Sequence, residues 1–332
     1  MQRGMPDYNI VKTALALAVR APSIHNIQPW RWRIGDRSIH LYLDPTRALP
    51  ATDPDERDLL LSCGAALHHL RIALAALGWS AVVHRLPNPA DPRHLAAIEP
   101  VRHRPTDLDV ALSAAISRRQ SDRRHFSSWP IPPGYVSLAT ERANALGAIV
   151  RKATDAPREL LVEATRLAVI RHAEDPEYRF ELANWTGKHS SEEGVPAQNA
   201  PTPRPDDELP ARVFAAPQLA DNANEPDSAE LLVVGTTADD RHSRLQAGEA
   251  LSAVLLTATN VGLATCPLTE PLEIPATRAM VRRGVLDSTA YPQVVVRLGW
   301  APTSSAPLPV TPRRALADVL DTSDPGGASR SA

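Results

Sequence analysis

Apolar residues recur along much of the chain at a spacing of about 3.6 residues, which predicts amphipathic helices. One such helix follows Asp7, and two longer ones span residues 55–77 and 239–260, the first of them ended by Gly78. Elsewhere apolar and polar residues alternate, as they do in half-buried strands. Helix and strand signals alternate along the chain, so its fold class is α/β or α+β. Shorter helices are predicted at 107–119, 134–146 and 156–173, and strands at 30–34, 39–43, 81–86, 231–235 and 293–298.

Three stretches carry neither pattern clearly. Residues 87–106 are rich in proline and are predicted to be a connection, and a tail begins at Ala301, with a short helix predicted to open at Pro312. The longest stretch, residues 186–228, is rich in Pro, Asn, Asp and Glu and contains few apolar residues. Such a segment cannot bury much surface by itself, and long loops of this kind are either disordered or act as lids.

The two longest predicted helices resemble each other. Aligning residues 62–79 with 246–263 matches Gly64 to Gly248, and it also matches the glycine that ends each helix. Two alanine-rich helices can match in this way by chance. However, each of these helices also lies between two predicted strands at similar spacing, so we interpret the pair as an internal duplication in which one unit is used twice.

Composition and charge exclude several classes of protein. The chain has 332 residues and a net charge of −2, so no basic field is available to hold nucleic acid or an anionic membrane. Cys63 and Cys266 are too few for a disulfide framework, which favours a reducing, cytoplasmic setting. The apolar run near the N-terminus is short and carries Lys12 and Arg20, unlike a signal peptide. No stretch is expected to be a membrane span of ~20 apolar residues.

Residues 20–32, RAPSIHNIQPWRW, contain more hydrogen-bonding groups than a helix end requires. A helix terminus needs one capping group, sometimes followed by a proline. Here four polar side chains lie on a backbone that two prolines stiffen: Ser23, His25, Asn26 and Gln28. We interpret this stretch as part of a functional site.

A second polar cluster, ISRRQSDRRHFSSWPIP, begins at position 116. Arg119, Ser121 and Arg123 alternate within it, so an extended or turn backbone would direct them the same way. Two guanidinium groups around a hydroxyl suit a phosphate or another dianion, and the alternative interpretation is a solvated basic helix end. Arg313 and Arg314 open the predicted C-terminal helix, where helix-end N–H groups and arginine could also hold an anion.

Other chemistries lack their sequence signatures. His68 and His69 are adjacent and therefore face different directions on a helix, and the sequence has no HExxH or Cys/His metal spacing. It also has no GxSxG elbow, no Walker A loop and no GxGxxG after a strand. We therefore expect no metal site and no hydrolase or nucleotide-triphosphate chemistry.

Four stretches of the chain resemble the nitroreductase-like flavoproteins, and more closely their Acg-type branch from actinobacteria. They are PSIHNIQPW at 22–30, RRQSDRRHF at 118–126, AGEALSAVLLTATNVGLATCPLTEP at 247–271, and the C-terminal region from RLGW at 297–300 through TPRRAL. With the spacing between them they cover most of the chain, and only the Pro-rich segment 186–228 has no counterpart in the ordinary family. The PSxxNxQPW pattern is fairly specific and RRxSxR is not, but the ordered set is a strong signal.

The resemblance implies an α+β nitroreductase fold with a central antiparallel sheet flanked by helices. In that family FMN lies at the interface of an intertwined homodimer, where one subunit supplies R-x-S-x-R and the other PSxxN. The first half of this chain, 1–106, has PSIHN but no preceding arginine cluster, and the second half, 107–332, has RRQSDRR but no PSxxN. The resemblance therefore implies a pseudo-dimer folded from one chain, which is a monomer with a single FMN site and a lid insertion at 186–228.

The resemblance also implies roles for residues of the second half. Arg119 and Ser121 would contact the ribityl-phosphate side of FMN, and Arg123 would place a positive charge near flavin N1 and O2. Arg313 matches the C-terminal phosphate-binding arginine of the family, and Arg314 would replace it if the alignment slips by one residue. The alternative interpretation for each of these residues is that it lies at the surface or caps a helix and does not contact FMN.

Two further segments complete the implied site. Three residues of the first half would flank the flavin ring: Pro22, Ser23 and Asn26. A turn of the second half would meet flavin N5: Pro267, Leu268 and Thr269. The backbone N–H of Thr269 is the expected donor to N5. No side chain is implied as a catalytic acid, because hydride transfer through flavin needs no general acid fixed by the protein.

The implied function is that of an NAD(P)H-dependent FMN oxidoreductase, which passes hydride through flavin to a small aromatic nitro or quinone acceptor. The lid leaves an alternative open, because Phe214 and Trp185 could pack on the ring and exclude nicotinamide. The protein would then sequester or store FMN with little turnover, and flavin-fragmenting chemistry on a related scaffold is a third interpretation. The lid is poor in apolar residues, so we expect weak closure, which favours the enzyme.

Overall fold

The computed structural model describes residues 4–188, 191–221, 225–302 and 306–321, and its mixture of helices and antiparallel sheet confirms the α+β class. The first half contains α1 (Tyr8–Ala18), β1 (Trp30–Ile34), β2 (Ile39–Leu43), α2 (Arg57–Ala76), β3 (Trp79–Arg85) and β4 (His94–Arg102). The second half contains α3 (Asp107–Arg118), α4 (Pro133–Asn144), β5 (Ile149–Ala153), α5 (Asp155–Glu174), α6 (Pro176–Trp185), β6 (Thr186–Lys188), β7 (Val195–Pro196), β8 (Glu230–Thr236), α7 (Arg241–Asn260), β9 (Ala264–Leu268), α8 (Glu270–Glu273), α9 (Pro275–Gly284), β10 (Tyr291–Gly299) and α10 (Leu316–Val319).

The main strands form two separate four-stranded antiparallel sheets. The strand order is β1-β2-β4-β3 in the first sheet and β5-β8-β10-β9 in the second. In both sheets the fourth strand along the chain therefore lies between the second and the third. In each half a 20-residue helix, α2 or α7, connects the second strand to the third. The short strands β6 and β7 form a parallel pair within the Pro-rich segment.

The two long helices α2 and α7 lie between the sheets. The helix α2 packs on the first sheet, α7 packs on the second, and the two helices pack against each other. The resemblance implies a single central sheet, but the structure has two sheets with these helices between them. Burial on most sides also explains the composition of α2, which is long and apolar enough to cross a membrane but is 78% buried inside the protein over its most apolar window.

The two long helices cross at the glycines that the sequence alignment matches. A Cβ on Gly64 would lie 2.0 Å from the carbonyl oxygen of Leu245, and a Cβ on Gly248 would lie 2.1 Å from that of Leu61. The contacts are reciprocal, because each glycine meets the residue three positions before the other. No side chain fits at either position, so the two backbones can approach this closely only with glycine at both.

The prediction that residues 87–106 form only a connection is wrong, because residues 94–102 form β4. Pro100 hides this strand, since proline cannot donate a hydrogen bond to a neighbouring strand and is rare inside sheets. The register explains why β4 tolerates it: the pairing with β2 ends at Ile98, so only β3 lies beside Pro100. The sequence patterns also miss β5, α6 and α9.

The C-terminal helix α10 begins at Leu316 instead of near Pro312 and has four residues. The residues before Leu316 already form other hydrogen bonds. The Arg313 guanidinium donates to the carbonyls of the two residues before it, and the Arg314 N–H donates to Gln28 Oε1 at 2.9 Å. Both arginines therefore precede α10, and the predicted anion site at a helix N-terminus is not formed there.

We expect Gly64→Ala to lower the free energy of unfolding by about 3 kcal/mol or more, because the added methyl group would overlap the Leu245 carbonyl. Gly134→Ala in α4 is the matched control, since nothing lies within 4 Å of a Cβ at that position. Urea unfolding followed by circular dichroism measures both variants. A Gly64→Ala protein as stable as the Gly134→Ala control would contradict the close helix crossing.

Candidate functional site

A cavity of about 1360 Å³, counting its opening to solvent, lies where the two halves of the chain meet. Its walls come from the loop before β1, the N-terminal part of α2, the loop after α3, the end of β9 and the Pro-rich segment. This space is ample for an organic ligand. Seven residues predicted for the site line it: Pro22, Ser23, Ser121, Arg123, Pro267, Leu268 and Thr269.

The loop before β1 is a strained turn held by α2. His25, Asn26 and Gln28 adopt left-handed backbone conformations, with φ of 45°, 55° and 55°. Such conformations are costly for residues other than glycine and concentrate at functional sites. The Gln28 N–H donates to Ser23 Oγ at 3.0 Å, and the N–H that follows Ser23 donates to Ser62 Oγ of α2 at 3.1 Å. These bonds position Ser23 at the cavity wall.

Asn26 does not line the cavity, although the resemblance implies that it flanks a ring there. Its Nδ2 donates to the carbonyl oxygens of Gly194 and Pro312, each at 3.1 Å. Gly194 belongs to the Pro-rich segment, and Pro312 belongs to the C-terminal tail. Asn26 therefore links three parts of the chain behind the cavity-lining turn.

The loop after α3 brings Ser121 and Arg123 to the cavity. Ser121 forms a β-bridge with Thr265 of β9, and the next backbone N–H donates to the Thr265 carbonyl at 2.9 Å. Arg123 Nη1 donates to Asn199 O at 3.1 Å, and the guanidinium lies 4.9 Å from the centre of the Phe214 ring. Burial lowers the pKa of Arg123 from its ordinary value. A partly buried cation therefore lies between the cavity wall and the Pro-rich segment.

Arg119 occupies a separate, smaller pocket with Arg20 and Arg313, hereafter the arginine cluster. The predicted alternation therefore does not direct Arg119 to the same place as Ser121. Arg119 and Arg313 donate to the carbonyl of Arg20 at 3.5 and 3.3 Å, and Arg20 donates to that of Ser117 at 3.4 Å. The Nε atoms of all three arginines are buried without a partner among the described residues.

The arginine cluster contains three positive charges, and no carboxylate of the described residues forms an ion pair with them. Burial, together with the charge of Arg20, lowers the pKa of Arg119 to about 10. Burial and the charges of Arg119 and Arg20 lower the pKa of Arg313 to about 9. The groups remain charged at neutral pH, so the folded protein carries an electrostatic cost that a bound anion would remove.

Arg314 lies outside the arginine cluster. Its guanidinium donates to the carbonyl of Asp318 at 2.9 Å, and it shares an exposed pocket with Glu192 and Glu193. The structure therefore brings Arg313, and not Arg314, to Arg119.

The Pro-rich segment 186–228 forms one wall of the cavity. His125 in the loop after α3 lies between two carboxylates of this segment, with Nε2 2.7 Å from Asp207 and Nδ1 2.7 Å from Asp221. We refer to these three residues as the lid latch. Residues 189, 190 and 222–224 of the predicted lid lie outside the described residues.

Arg212 connects the Pro-rich segment to the first half and to α8. Its Nη1 lies 3.1 Å from His25 Nε2, and its guanidinium pairs with Glu273. Burial, followed by the charge of Arg212, holds the pKa of His25 well below its usual range, so His25 is neutral at pH 7. His25 Nε2 therefore accepts a hydrogen bond from Arg212, because guanidinium can only donate.

Apolar contacts also hold the Pro-rich segment. Phe214 is 9% exposed and belongs to a small cluster between α6 and this segment. Trp185 packs against the core of the first half and near Arg47, away from the cavity. The other members of the Phe214 cluster are Tyr178, Leu182, Val195 and Ala200.

Comparison with known sequences shows the family of this chain. The nitroreductase family profile matches residues 116–300. The "Putative NAD(P)H nitroreductase Rv3131" of Mycobacterium tuberculosis is 49% identical over 97% of this chain and 94% of its own length. The chain belongs to the nitroreductase family. The "Putative NAD(P)H nitroreductase acg" of the same organism is 39% identical over 95% of this chain and 98% of its own length.

Solved nitroreductases are similar in structure at low sequence identity. The FMN-dependent nitroreductase NfnB from Mycobacterium smegmatis, solved with NADPH, is 16% identical, with a TM-score of 0.41 over 66% of this chain and 100% of that one. A nitroreductase with bound FMN from Bacteroides fragilis is 13% identical, with a TM-score of 0.38 over 59% of this chain and 90% of that one.

Several site residues of this nitroreductase-family chain are not found by sequence reasoning. Arg20 lies two residues before the first residue of the PSIHN motif, and this proximity is the one signal that connects it with the site. His125 lies within the second polar cluster, but its partners are about a hundred residues further along the chain. Arg212 lies in a segment without periodicity, so no pattern distinguishes it from a solvated arginine.

We expect the double variant Asp207→Asn/Asp221→Asn to speed trypsin cleavage at Arg212 by about tenfold or more, because the latch loses its charge-assisted hydrogen bonds. Asp206→Asn is the matched control, since Asp206 is exposed and adjacent to the latch. Cleavage is followed by mass spectrometry under native conditions. Equal cleavage rates in the latch variant and the control would show that the latch does not hold the segment.

Proposed function

We propose that this nitroreductase-family protein binds FMN and transfers hydride from NAD(P)H through it to a small nitroaromatic or quinone acceptor. The arginine cluster carries the proposal, because its Nε atoms are buried and no carboxylate of the described residues pairs with its guanidinium groups, which fits a phosphate group. FMN ends in such a phosphate. The relatives whose names include NAD(P)H nitroreductase support the same hydride donor.

The residues of the second half fit the parts of FMN. Arg119 and Arg313 would hold the phosphate, and Ser121 would contact the ribityl side. Arg123 would keep a positive charge beside N1 and O2, which stabilises the negative charge that the flavin gains on reduction. The Thr269 backbone N–H would donate to N5. Bound FMN would supply the hydride chemistry, and these groups would bind and orient it.

The first half would contribute the other side of the site. Pro22 and Ser23 line the cavity on the strained turn, so they are suited to flank the ring. We assign Asn26 an indirect role, because both donor bonds of its amide are made to backbone carbonyls. It would position this turn relative to the Pro-rich segment and the tail.

The two halves, 1–106 and 107–332, would together form a pseudo-dimer that is a monomer in solution. The equal strand order of the two sheets supports this proposal. So does the reciprocal contact between Gly64 and Gly248, which places matched positions of the two long helices against each other. Each half would supply residues that the other lacks, so one chain would contain one flavin site.

A second candidate function is FMN sequestration with little turnover, and the Pro-rich segment favours it. The segment forms a cavity wall and is held by the lid latch, by Arg212 and by the Phe214 cluster. A nicotinamide ring would then reach the flavin only after this segment moves. The enzyme and the storage protein differ in whether that movement occurs during turnover.

Stopped-flow absorbance distinguishes the two functions. The FMN-reconstituted protein is mixed anaerobically with NADPH and then NADH, and the flavin band near ~450 nm is followed. We expect rapid bleaching that nitrofurazone or a quinone reverses, because the donor and the acceptor use the same cavity in turn. The latch variant Asp207→Asn/Asp221→Asn is measured in parallel, with Asp206→Asn as its control.

Each result of this experiment supports a different function. Flavin that stays oxidised with both nucleotides but bleaches with dithionite would overturn the oxidoreductase and support storage. Bleaching restored in the latch variant alone would place the barrier in the Pro-rich segment. If no flavin binds at all, the assignment of Arg119 and Arg313 to FMN phosphate is wrong.

A further inference from the structure

We propose that Arg20 is a third ligand of the anion site, so that three guanidinium groups from three separate parts of the chain hold one phosphate dianion. This inference rests on the proposed function and adds to it a residue that the sequence motifs do not assign. Arg20 follows α1, Arg119 follows α3, and Arg313 lies in the C-terminal tail. The site would thus join both halves and the tail around one anion.

Both the backbone and the side chain of Arg20 belong to the arginine cluster. Its carbonyl oxygen accepts from Arg119 Nη2 and from Arg313 Nη2, at 3.5 and 3.3 Å. Its own Nη2 donates to Ser117 O near the end of α3, at 3.4 Å. The three bonds are long and involve only neutral acceptors, so they hold the cluster together without neutralising it.

Among the residues that the structure describes, no group that lines this pocket supplies a negative charge. His69 of α2 is the titratable group on that side of the cluster, and burial and the charge of Arg119 keep its pKa well below the usual range. It is therefore neutral at pH 7. The remaining lining residues of the pocket are uncharged: Gln120, Val310 and Thr311.

The unpaired atoms indicate what kind of ligand is missing. Four donor atoms are buried with no hydrogen-bond partner in the described part of the chain: the Nε atoms of Arg20, Arg119 and Arg313 and the Nη1 of Arg119. These donors need acceptors, and a terminal phosphate offers three oxygens with nearly two negative charges at pH 7. A flavin without phosphate would leave them unpaired. We therefore expect the cluster to select the phosphorylated flavin over riboflavin.

The inference also predicts an unusual effect of mutation on stability. Removing one charge from a partly buried cluster of three like charges should stabilise the protein when no anion is bound and reduce its stabilisation by a bound anion. A purely structural Arg20 would behave differently, because its loss would lower the melting temperature in both states. The sign of the change in the anion-free protein thus separates a ligand from a structural residue.

The experiment compares wild type, Arg20→Gln and the control Arg118→Gln, whose side chain is exposed at the end of α3. Titration calorimetry of flavin-free protein measures FMN and riboflavin. We expect Arg20→Gln to weaken FMN binding by about tenfold or more and to leave riboflavin binding unchanged. Arg20→Lys should recover part of the loss, and Arg118→Gln should bind both flavins as wild type does.

Melting temperatures in inorganic phosphate provide a readout that does not depend on flavin. Phosphate should stabilise wild type, and it should stabilise Arg20→Gln less. Equal FMN affinity and equal phosphate stabilisation in wild type and Arg20→Gln would overturn the role of Arg20 and leave the proposed function standing. Absence of FMN binding to wild type, with phosphate stabilisation that depends on Arg20, would overturn the flavin function and leave the anion site.

Discussion

The close crossing of α2 and α7 at Gly64 and Gly248 determines how the rest of the molecule is arranged. Each helix packs on its own sheet, so the distance between the helices sets the distance between the two halves. The N-terminal part of α2 also supplies Ser62, which holds the strained turn with Ser23 at the cavity. The helix crossing therefore positions the first-half residues against the second-half loop that carries Ser121 and Arg123.

Polar and charged side chains around the site are of two kinds, those with carboxylate partners and those without. Around the Pro-rich segment, polar side chains have carboxylate partners: His125 lies within hydrogen-bond distance of two aspartates, and Arg212 pairs with Glu273. In the arginine cluster no carboxylate of the described residues pairs with the guanidinium groups, and burial with mutual repulsion lowers the pKa of two of its members. Paired groups hold a segment in place, whereas unpaired like charges raise the energy of the folded protein. This contrast distinguishes the arginine cluster from the contacts of the Pro-rich segment.

Much of the fold could be predicted from periodicity, and the failures arise from contacts between parts of the chain that are distant in sequence. The long helices α2 and α7 follow from apolar spacing and from the glycines that end them. The strand β4 was hidden by Pro100, whose tolerance depends on where β2 stops, and that is a property of the register. The helix predicted at Pro312 is shortened because nearby carbonyls already accept from Arg313 and Asn26. Tertiary contacts decided both cases.

The site residues could likewise be predicted only in part, because contacts between distant parts of the chain bring several of them together. Residues close together in a motif, such as Ser121 and Arg123, reach the cavity together because they lie on one loop. Arg20 and Arg119 are about a hundred residues apart, and only folding brings them to one pocket. Asn26 is the opposite case. It lies in the motif, but its side chain hydrogen-bonds to the Pro-rich segment and the tail instead of lining the cavity.

The central proposal is that one chain forms one complete flavin site from its two halves. Native mass spectrometry of the FMN-reconstituted protein tests this most directly, because it counts chains and flavins in the same particle. We predict a single chain with one FMN. FMN found only in dimers, with single chains free of flavin, would contradict this prediction, since each site would then need a second chain.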